Sequence, residues 1–243
     1  MMQLVAQNIT VAGRLTGVSA VFQPGRITAI CGPNGAGKST LLSALANLAA
    51  LDSGQVILGD AALTAIAPQI RAQQIGYLPQ DGQIAWDVAV RTLVALGRMP
   101  FRDEAPDKVA RALAALDLTD FADRPVSTLS GGEKARALLA RVLAGEPEWL
   151  LADEPLAALD IGHQLALLRH LRTEAARGTG VVLVLHDLAL AMNHADHVVV
   201  LGEGRLAASG APADALSEAV IAKVWHINAR WIGEAGGRAL IME

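Results

Sequence analysis

Residues 32–40 read GPNGAGKST and lie between two segments of different character. The preceding run RITAIC (26–31) is short and rich in β-branched residues, which predicts a strand. The following run STLLSALANLAAL (39–51) has apolar residues at helical spacing, which predicts a helix. A glycine-rich loop between a strand and a helix is typical of phosphate sites, because the helix N-terminus favours negative charge. The sequence therefore predicts an α/β fold with an anion site at this loop.

The loop fits the pattern G-x-x-x-x-G-K-[ST], whose parts have separate chemical roles. Its glycines let successive backbone N–H groups turn toward phosphate oxygens. Lys38 can reach the β and γ phosphates, and the hydroxyl of Ser39 can bind Mg²⁺. We therefore predict that the loop binds a nucleotide together with Mg²⁺. The predicted nucleotide-binding residues of the loop are Gly32, Pro33, Asn34, Gly35, Ala36, Gly37, Lys38, Ser39 and Thr40.

Two further segments place reactive side chains directly after predicted buried strands. Asp153 and Glu154 follow the apolar run WLLA (149–152). His186 follows the apolar run VVLVL (181–185). An Asp can hold the Mg²⁺ shell, a second carboxylate can activate water, and a ring N–H can reach a γ-phosphate. The alternatives are two acids in a helix-starting turn and a structural turn His. Because ligands of parallel sheets bind at the carboxyl ends of the strands, we predict one common site.

The middle of the chain, residues 85–148, lacks the β character of the rest. Three parts of it read as amphipathic helices, namely 87–99, 107–118 and 133–145. We predict a helical subdomain that is inserted into an α/β nucleotide-binding core. That core consists of residues 1–84 and 149–243, and the whole chain of 243 residues forms a single domain. Hairpins are predicted at 197–210 and 229–242.

Composition narrows the possible functions. The chain has 24 acidic and 20 basic residues, so no overall positive charge draws it to nucleic acid. Its only cysteine, Cys31, excludes an internal disulfide framework and fits a reducing compartment. No apolar run approaches the roughly 18 residues that span a bilayer, so we expect a membrane role to be peripheral.

A second glycine-containing motif, LSGGE (129–133), opens the last helix of the predicted subdomain. Ser130 and Glu133 have the spacing of a capping box, and a capped helix is the simpler interpretation. However, Gly131 and Gly132 each cost a helix about 1 kcal/mol relative to Ala, and a cap does not need them. Bare backbone at a helix N-terminus lets an anion approach closely. Since the first loop already surrounds its own phosphates, we predict a dimer with ATP between the subunits.

In this order the motifs closely resemble those of the ATP-binding cassette (ABC) ATPases, over nearly the whole chain. They are GPNGAGKST (32–40), YLPQD (77–81), LSGGE (129–133), LLADEP (150–155), LAALD (156–160) and LHD (185–187). The resemblance implies an α/β ABC ATPase core with a mainly parallel sheet, an N-terminal antiparallel β portion and a helical insert. It also implies that a head-to-tail homodimer hydrolyses ATP to ADP and phosphate.

The resemblance further implies a role for each motif. Gln80 would contact Mg²⁺ and the attacking water, and Asp153 would support Mg²⁺. Glu154 would be the catalytic base, and His186 would hold the γ-phosphate. The other motif residues would act between subunits. Asp160 would communicate across the dimer. The partner's ATP would be contacted by Ser130, Gly131 and Gly132 when the dimer closes.

The missing membrane helices imply separate permease subunits, as in ABC importers. This chain would then be a peripheral subunit on the cytoplasmic side of the inner membrane. The runs ALGRMP (95–100), EPLAALDIGHQ (154–164) and VLHDLALA (184–191) resemble the subgroup that energises uptake of ferric siderophores, haem or cobalamin. A periplasmic or extracellular substrate-binding protein would then be an indirect partner. We expect the permease to dock on Asp81 to Arg102, including Trp86, although this segment could instead pack inside the subdomain.

Other classes remain as alternatives. An importer ATPase for another cargo, such as a metal ion or another small solute, would use the same motifs. Soluble ABC ATPases of DNA repair or translation share the site. Those of DNA repair have a long coiled coil between the phosphate loop and the signature motif, and those of translation have two cassettes with a charged linker. This chain has one cassette and short spacings between its motifs. GTPases and small-molecule kinases leave LSGGE unexplained, and the chain has no [NT]-K-x-D motif.

One position departs from the family pattern. ABC ATPases usually stack the adenine on an aromatic residue about two dozen positions before the phosphate-loop Lys. The stretch TVAGRLTGVSA (10–20) has no aromatic residue, and Phe22 fits a core position better. We expect the planar guanidinium of Arg14 to stack on the base, with Val11 and Leu15 as apolar neighbours.

Overall fold

The computed structural model describes residues 2–80, 82, 84 and 87–242. Its strands are β1 (Leu4–Val11), β2 (Leu15–Phe22), β3 (Ile27–Cys31), β4 (Ser53–Leu58), β5 (Ala61–Ala62), β6 (Ile75–Leu78), β7 (Trp149–Asp153), β8 (Gly180–Val184), β9 (His197–Gly202), β10 (Arg205–Gly210), β11 (Ala229–Ile232) and β12 (Ala239–Met242). Its α-helices are α1 (Lys38–Leu45), α2 (Pro68–Gln74), α3 (Val90–Ala95), α4 (Pro106–Ala115), α5 (Gly131–Ala144), α6 (Ile161–Ala176), α7 (Leu188–His194), α8 (Pro212–Ala215) and α9 (Glu218–Trp225).

The central sheet has six strands in the order β10-β9-β3-β8-β7-β6. All neighbours are parallel except β10, which pairs antiparallel with β9. Three of the four inner strands, β3, β7 and β8, are buried at every position. Successive side chains of β8 enter two different apolar clusters, Val181 and Leu183 in one and Val182 and Val184 in the other. Burial on both faces explains why these strands read as continuous apolar runs.

One face of the central sheet is covered by an antiparallel sheet with the order β2-β1-β4-β5. Leu4 and Phe22 of this sheet share an apolar cluster with Leu41 and Leu45 of α1 and with Val182 of the central sheet. Helix α1 therefore packs between the two sheets, directly after the glycine-rich loop.

The opposite face of the central sheet shares its apolar cluster with the helices α3, α4 and α5. The helix expected over 87–99 is shorter than predicted, because α3 ends at Ala95 and residues Leu96–Phe101 form a 3₁₀-helix. Pro100 lies inside this 3₁₀-helix, where an α-helix would lose a backbone hydrogen bond. The helix expected over 39–51 also ends early, at Leu45.

Both predicted C-terminal hairpins are confirmed, as β9–β10 and β11–β12. The expected fold is confirmed as well: an α/β core with a mainly parallel sheet, an N-terminal antiparallel sheet and inserted helices. Within the described ranges, none of the helices combines the length and the hydropathy that crossing a membrane requires.

Candidate functional site

The glycine-rich loop connects β3 to α1 in a conformation that its glycines make possible. Gly32 has a φ of 153°, and a Cβ there would lie 2.3 Å from the backbone oxygen of Leu201. Gly37 has a φ of 95°, and its Cβ would lie 2.8 Å from the backbone oxygen of Arg14. Any other residue would collide with backbone at both positions. The loop is therefore shaped by contacts within its own chain.

Lys38 is held across this loop. Its side chain is 6% exposed, and Nζ donates hydrogen bonds to the oxygens of Gly32 at 2.9 Å and Pro33 at 3.0 Å. Burial lowers the pKa of the ammonium, and the nearby carboxylate of Glu154 acts in the opposite direction. The positive charge is thus already placed where phosphate groups would be bound.

Asp153 ends β7 and is 4% exposed. Burial raises the pKa of its carboxyl group, while a hydrogen bond with the side chain of Ser39 lowers it. Its Oδ1 atom is buried and has no hydrogen-bond partner. A buried, unpartnered carboxylate oxygen beside a hydroxyl fits a magnesium ion, which prefers oxygen ligands.

Glu154 and His186 contact each other although they are far apart in sequence. Glu154 follows β7 with a φ of 50°, which non-glycine residues rarely adopt. His186 Nε2 lies 2.5 Å from Glu154 Oε1, and the His side chain is 46% exposed. The tips of β7 and β8 thus bring the two predicted reactive groups together.

These elements surround a single cleft of about 480 Å³. Its lining residues are Arg14, Asn34, Gly35, Gly37, Lys38, Ser39, Thr40, Gln80, Glu154 and His186. These residues come from five separate segments, four of which follow the carboxyl ends of β3, β6, β7 and β8, as expected from the sequence. The buried Asp153 instead lines an adjoining cavity of about 720 Å³, together with Gln80 and Glu154.

The LSGGE motif forms the predicted capping box at the start of α5. Glu133 Oε2 accepts a hydrogen bond from the backbone N–H of Ser130 at 2.7 Å, and Ser130 Oγ accepts one from the N–H of Glu133 at 3.3 Å. These bonds hold the pKa of Glu133 below its usual value. Ser130 and Gly131 are exposed, and neither lines the cleft of the same chain.

Asp160 also lies outside the cleft and caps α6. It accepts hydrogen bonds from the backbone N–H of His163 at 2.9 Å, and its Oδ2 lies 2.7 Å from His163 Nδ1. His163 is not among the site residues predicted from the sequence. Its position three residues after an N-cap Asp is the signal that could have identified this contact.

Arg14 lies in the turn between β1 and β2 at the edge of the cleft. The β9–β10 turn supports it, because Thr16 N–H donates to the oxygen of Gly204 at 2.8 Å. No Phe, Tyr or Trp is found among the described residues that line the cleft. The expectation for Leu15 is wrong, because its side chain is 1% exposed and packs under Gly37.

The segment expected to dock a permease is only partly described. Asp81 and Trp86 lie outside the described residues. Near the end of the segment Met99 is 69% exposed, and Ile70 of α2 is 47% exposed. These are large apolar side chains on the surface.

Comparison with known proteins places the chain in a family. The family profile described as "ABC transporter" matches residues 15–157. The Hemin import ATP-binding protein HmuV of Rhodococcus jostii is 45% identical over 224 residues, which cover 89% of this chain and 77% of the relative. The HmuV of Myxococcus xanthus is 41% identical over 240 residues, which cover 92% of this chain and 90% of the relative.

Solved structures show the same fold. A nucleotide-free ATP-binding cassette from an ABC transporter has a TM-score of 0.78 at 26% identity, with 93% of this chain and 96% of that chain covered. A dimeric ATP-binding cassette in a post-hydrolysis state, bound to ADP and Pi, has a TM-score of 0.77 at 25% identity, with coverages of 86% and 98%. With the phosphate loop, the strand-end carboxylates and the signature helix in one arrangement, the chain belongs to the ABC transporter family, as an ATP-binding subunit that hydrolyses ATP.

Proposed function

We propose that this chain is the ATPase subunit of an importer for haem or a related iron chelate. The observation that supports this cargo is the likeness to hemin import ATP-binding proteins, at 45% identity over 89% of the chain. Ferric siderophores and cobalamin, which the sequence analysis also named, are the competing cargoes. The geometry of the cleft supports the chemistry but carries no information about the cargo, because the cargo does not enter it.

In the proposed site, Ser39, Gln80 and Asp153 would hold Mg²⁺, which would neutralise phosphate charge when bound. The phosphate loop and Lys38 bind and orient the triphosphate. Glu154 accepts the proton of the attacking water. In the present structure its Oε1 is paired with His186. A γ-phosphate that takes the ring N–H of His186 would free this oxygen for the water.

The proposed working unit is a homodimer with two composite sites. Each phosphate loop would face the Ser130, Gly131 and Gly132 backbone of the partner subunit, with Asp160 at the interface. This arrangement explains why Ser130 and Gly131 are exposed and lie outside the cleft of about 480 Å³ in their own chain. It also assigns separate tasks to the core (1–84 and 149–243) and to the helical subdomain (85–148).

We place the dimer on the cytoplasmic side of the cell membrane, bound to separate permease subunits. A substrate-binding protein outside the membrane would act on it indirectly. The proposed docking surface is the segment from Asp81 to Arg102, whose described part includes the exposed Met99. No role in binding nucleic acid is proposed.

Reconstitution with the permease in proteoliposomes tests this function. The expected result is ATP hydrolysis that rises when a haem-loaded substrate-binding protein is added, with haem accumulating inside. Ferric siderophore and cobalamin serve as matched cargoes, and the Glu154→Gln variant serves as the inactive control. Stimulation by another cargo alone would overturn the haem assignment. A rate of ATP hydrolysis that does not change with the permease but rises with DNA or RNA would overturn the transport function.

A further inference from the structure

Arg98 is a fully buried cation outside the nucleotide site. Its side chain is 2% exposed and lies in the 3₁₀-helix Leu96–Phe101. Nε and Nη2 donate to the two carboxylate oxygens of Asp103 at 2.8 and 2.7 Å. The guanidinium also lies 3.7 Å from the ring centroid of Phe101. A buried charge with a paired carboxylate and a stacked ring has one fixed orientation.

The remaining donor of Arg98 holds the end of the signature helix. Its Nη1 donates to the backbone oxygens of Ala144 at 3.2 Å and Gly145 at 3.4 Å. These carbonyls belong to the last turn of α5, where a positive charge is favourable. Gly97 brings the 3₁₀-helix close to the same turn, since a Cβ there would lie 1.9 Å from the oxygen of Arg141.

The same 3₁₀-helix is attached to the nucleotide-binding core. The side-chain amides of Gln69 and Gln73 in α2 both donate to the oxygen of Pro100, at 2.8 and 2.9 Å. Helix α2 leads directly into β6, which ends two residues before Gln80. The last turn of α5 is thus connected, through Arg98 and α2, to the strand that leads to Gln80.

The two ends of α5 differ in how they meet the core. The C-terminal end is in close contact with β6, because a Cβ on Gly76 would lie 2.6 Å from Val142 Cγ1. The N-terminal end is packed less closely, because Gly131 lines the cavity of about 720 Å³ and a Cβ on Gly132 would lie 3.2 Å from the backbone oxygen of Ala158. Fourteen residues at about 1.5 Å each make α5 about 21 Å long, so a small rotation at the fixed end displaces the other end considerably.

We propose that Arg98 is a positioning residue that sets the orientation of α5 and thereby places Ser130, Gly131 and Gly132 for the partner's nucleotide. This inference rests on the proposed dimer. The phosphate loop lies in the core and does not depend on Arg98. Loss of the clamp therefore weakens closure of the dimer and leaves ATP binding by one subunit intact.

The test uses Asp103→Asn in the full chain, with Glu154→Gln as background to prevent turnover. This change removes the charge that orients Arg98, while Arg98 itself and an acceptor oxygen at position 103 remain. Asp123→Asn is the matched control, because Asp123 forms an exposed pair with Arg91 in the same part of the chain. ATP affinity is measured by titration of diluted monomer, and dimerisation with ATP is measured by analytical ultracentrifugation.

We expect Asp103→Asn to weaken the ATP-dependent dimer about tenfold, as loss of one charged hydrogen-bond pair implies, with ATP affinity within about twofold of the background. Asp123→Asn should change neither quantity. An equally stable dimer in Asp103→Asn would overturn the inference, and so would a parallel loss of ATP affinity and dimerisation. If the Glu154→Gln background itself stays monomeric with ATP, the proposed dimer is wrong rather than the role of Arg98.

Discussion

The two glycine-containing motifs of this chain open helices in similar ways but differ in what requires their glycines. In the phosphate loop, Gly32 and Gly37 have positive φ values, and a Cβ at either would collide with backbone. In the signature motif, Gly131 lies in a regular helix, and a Cβ there would have no neighbour within 4 Å. The fold of the phosphate loop therefore requires glycine at these two positions, whereas the fold of the signature helix does not require glycine at Gly131.

This difference indicates where each motif finds its ligand. The phosphate loop already has its lysine and neighbouring carboxylates in place within one chain. The signature helix has a complete capping box, so its N-terminus is stable without bare backbone. A glycine that the fold does not use, on an exposed helix start, points to a contact with another molecule. The proposed composite site supplies that contact.

The largest expected effect comes from removing the proposed catalytic base, Glu154. Glu154→Gln should leave ATP binding intact and reduce turnover by a factor of about 10² or more, because the water loses its proton acceptor. The variant should accumulate as an ATP-bound dimer in gel filtration. Turnover near the wild-type rate, with only monomer in ATP, would contradict both the assigned base and the shared site.

A paired substitution tests the comparison of the glycines directly. Gly37→Ala should lower the melting temperature by about 2–12 °C, since strain at this positive φ costs about 1–3 kcal/mol. Gly131→Ala should keep or slightly raise it, because Ala favours a helix over Gly by about 1 kcal/mol. Turnover should nevertheless fall in both variants. Full activity in Gly131→Ala would show that the partner does not need this glycine.

A substitution of Arg14 tests whether its guanidinium stacks on the adenine base of the bound nucleotide. Since stacking on a base contributes about 1–3 kcal/mol, Arg14→Ala should raise KM for ATP several-fold with little change in kcat. The wild-type enzyme should discriminate poorly between ATP and GTP. Steady-state kinetics with both nucleotides measure this, with the exposed Arg177→Ala as control. A strong preference for ATP that survives Arg14→Ala would assign the base to another residue.

The smallest expected effect concerns the stability cost of the metal site. Asp153→Asn should raise the melting temperature of the nucleotide-free protein by about 2–4 °C, because a buried, partly unpaired carboxylate is destabilising. Burial raises the pKa of Asp153, so the gain is largest at pH values above that pKa and shrinks as the pH falls through it.

Thermal scans at several pH values, with and without Mg²⁺ and ATP, measure this effect. The variant should also lose the stabilisation that Mg²⁺ adds to ATP binding. The exposed Asp123→Asn is the control and should melt like the wild type. A lower melting temperature for Asp153→Asn at neutral pH would show that the carboxylate stabilises the apo protein.

Much of the fold could be predicted from local patterns. The run 26–31 predicted a strand, and the runs 149–152 and 181–185 predicted buried strands, because burial on both faces selects continuous apolar residues. The capping box at Ser130 was also predictable, because its partners are three residues apart. Helix ends were less predictable: α3 ends at Ala95, and Gly97 in the following 3₁₀-helix closely approaches the backbone of α5.

The sequence by itself therefore determined the family, the strands and helices around the phosphate loop, and the residues expected to be reactive. Only the tertiary structure decided that Glu154 contacts His186, that Leu15 is buried under Gly37, and that Arg98 holds the end of α5. The physical reason is distance along the chain. Capping and periodicity act over a few residues, whereas these contacts join segments that become neighbours only when the strands assemble in the order β10-β9-β3-β8-β7-β6 and the helices pack on that sheet.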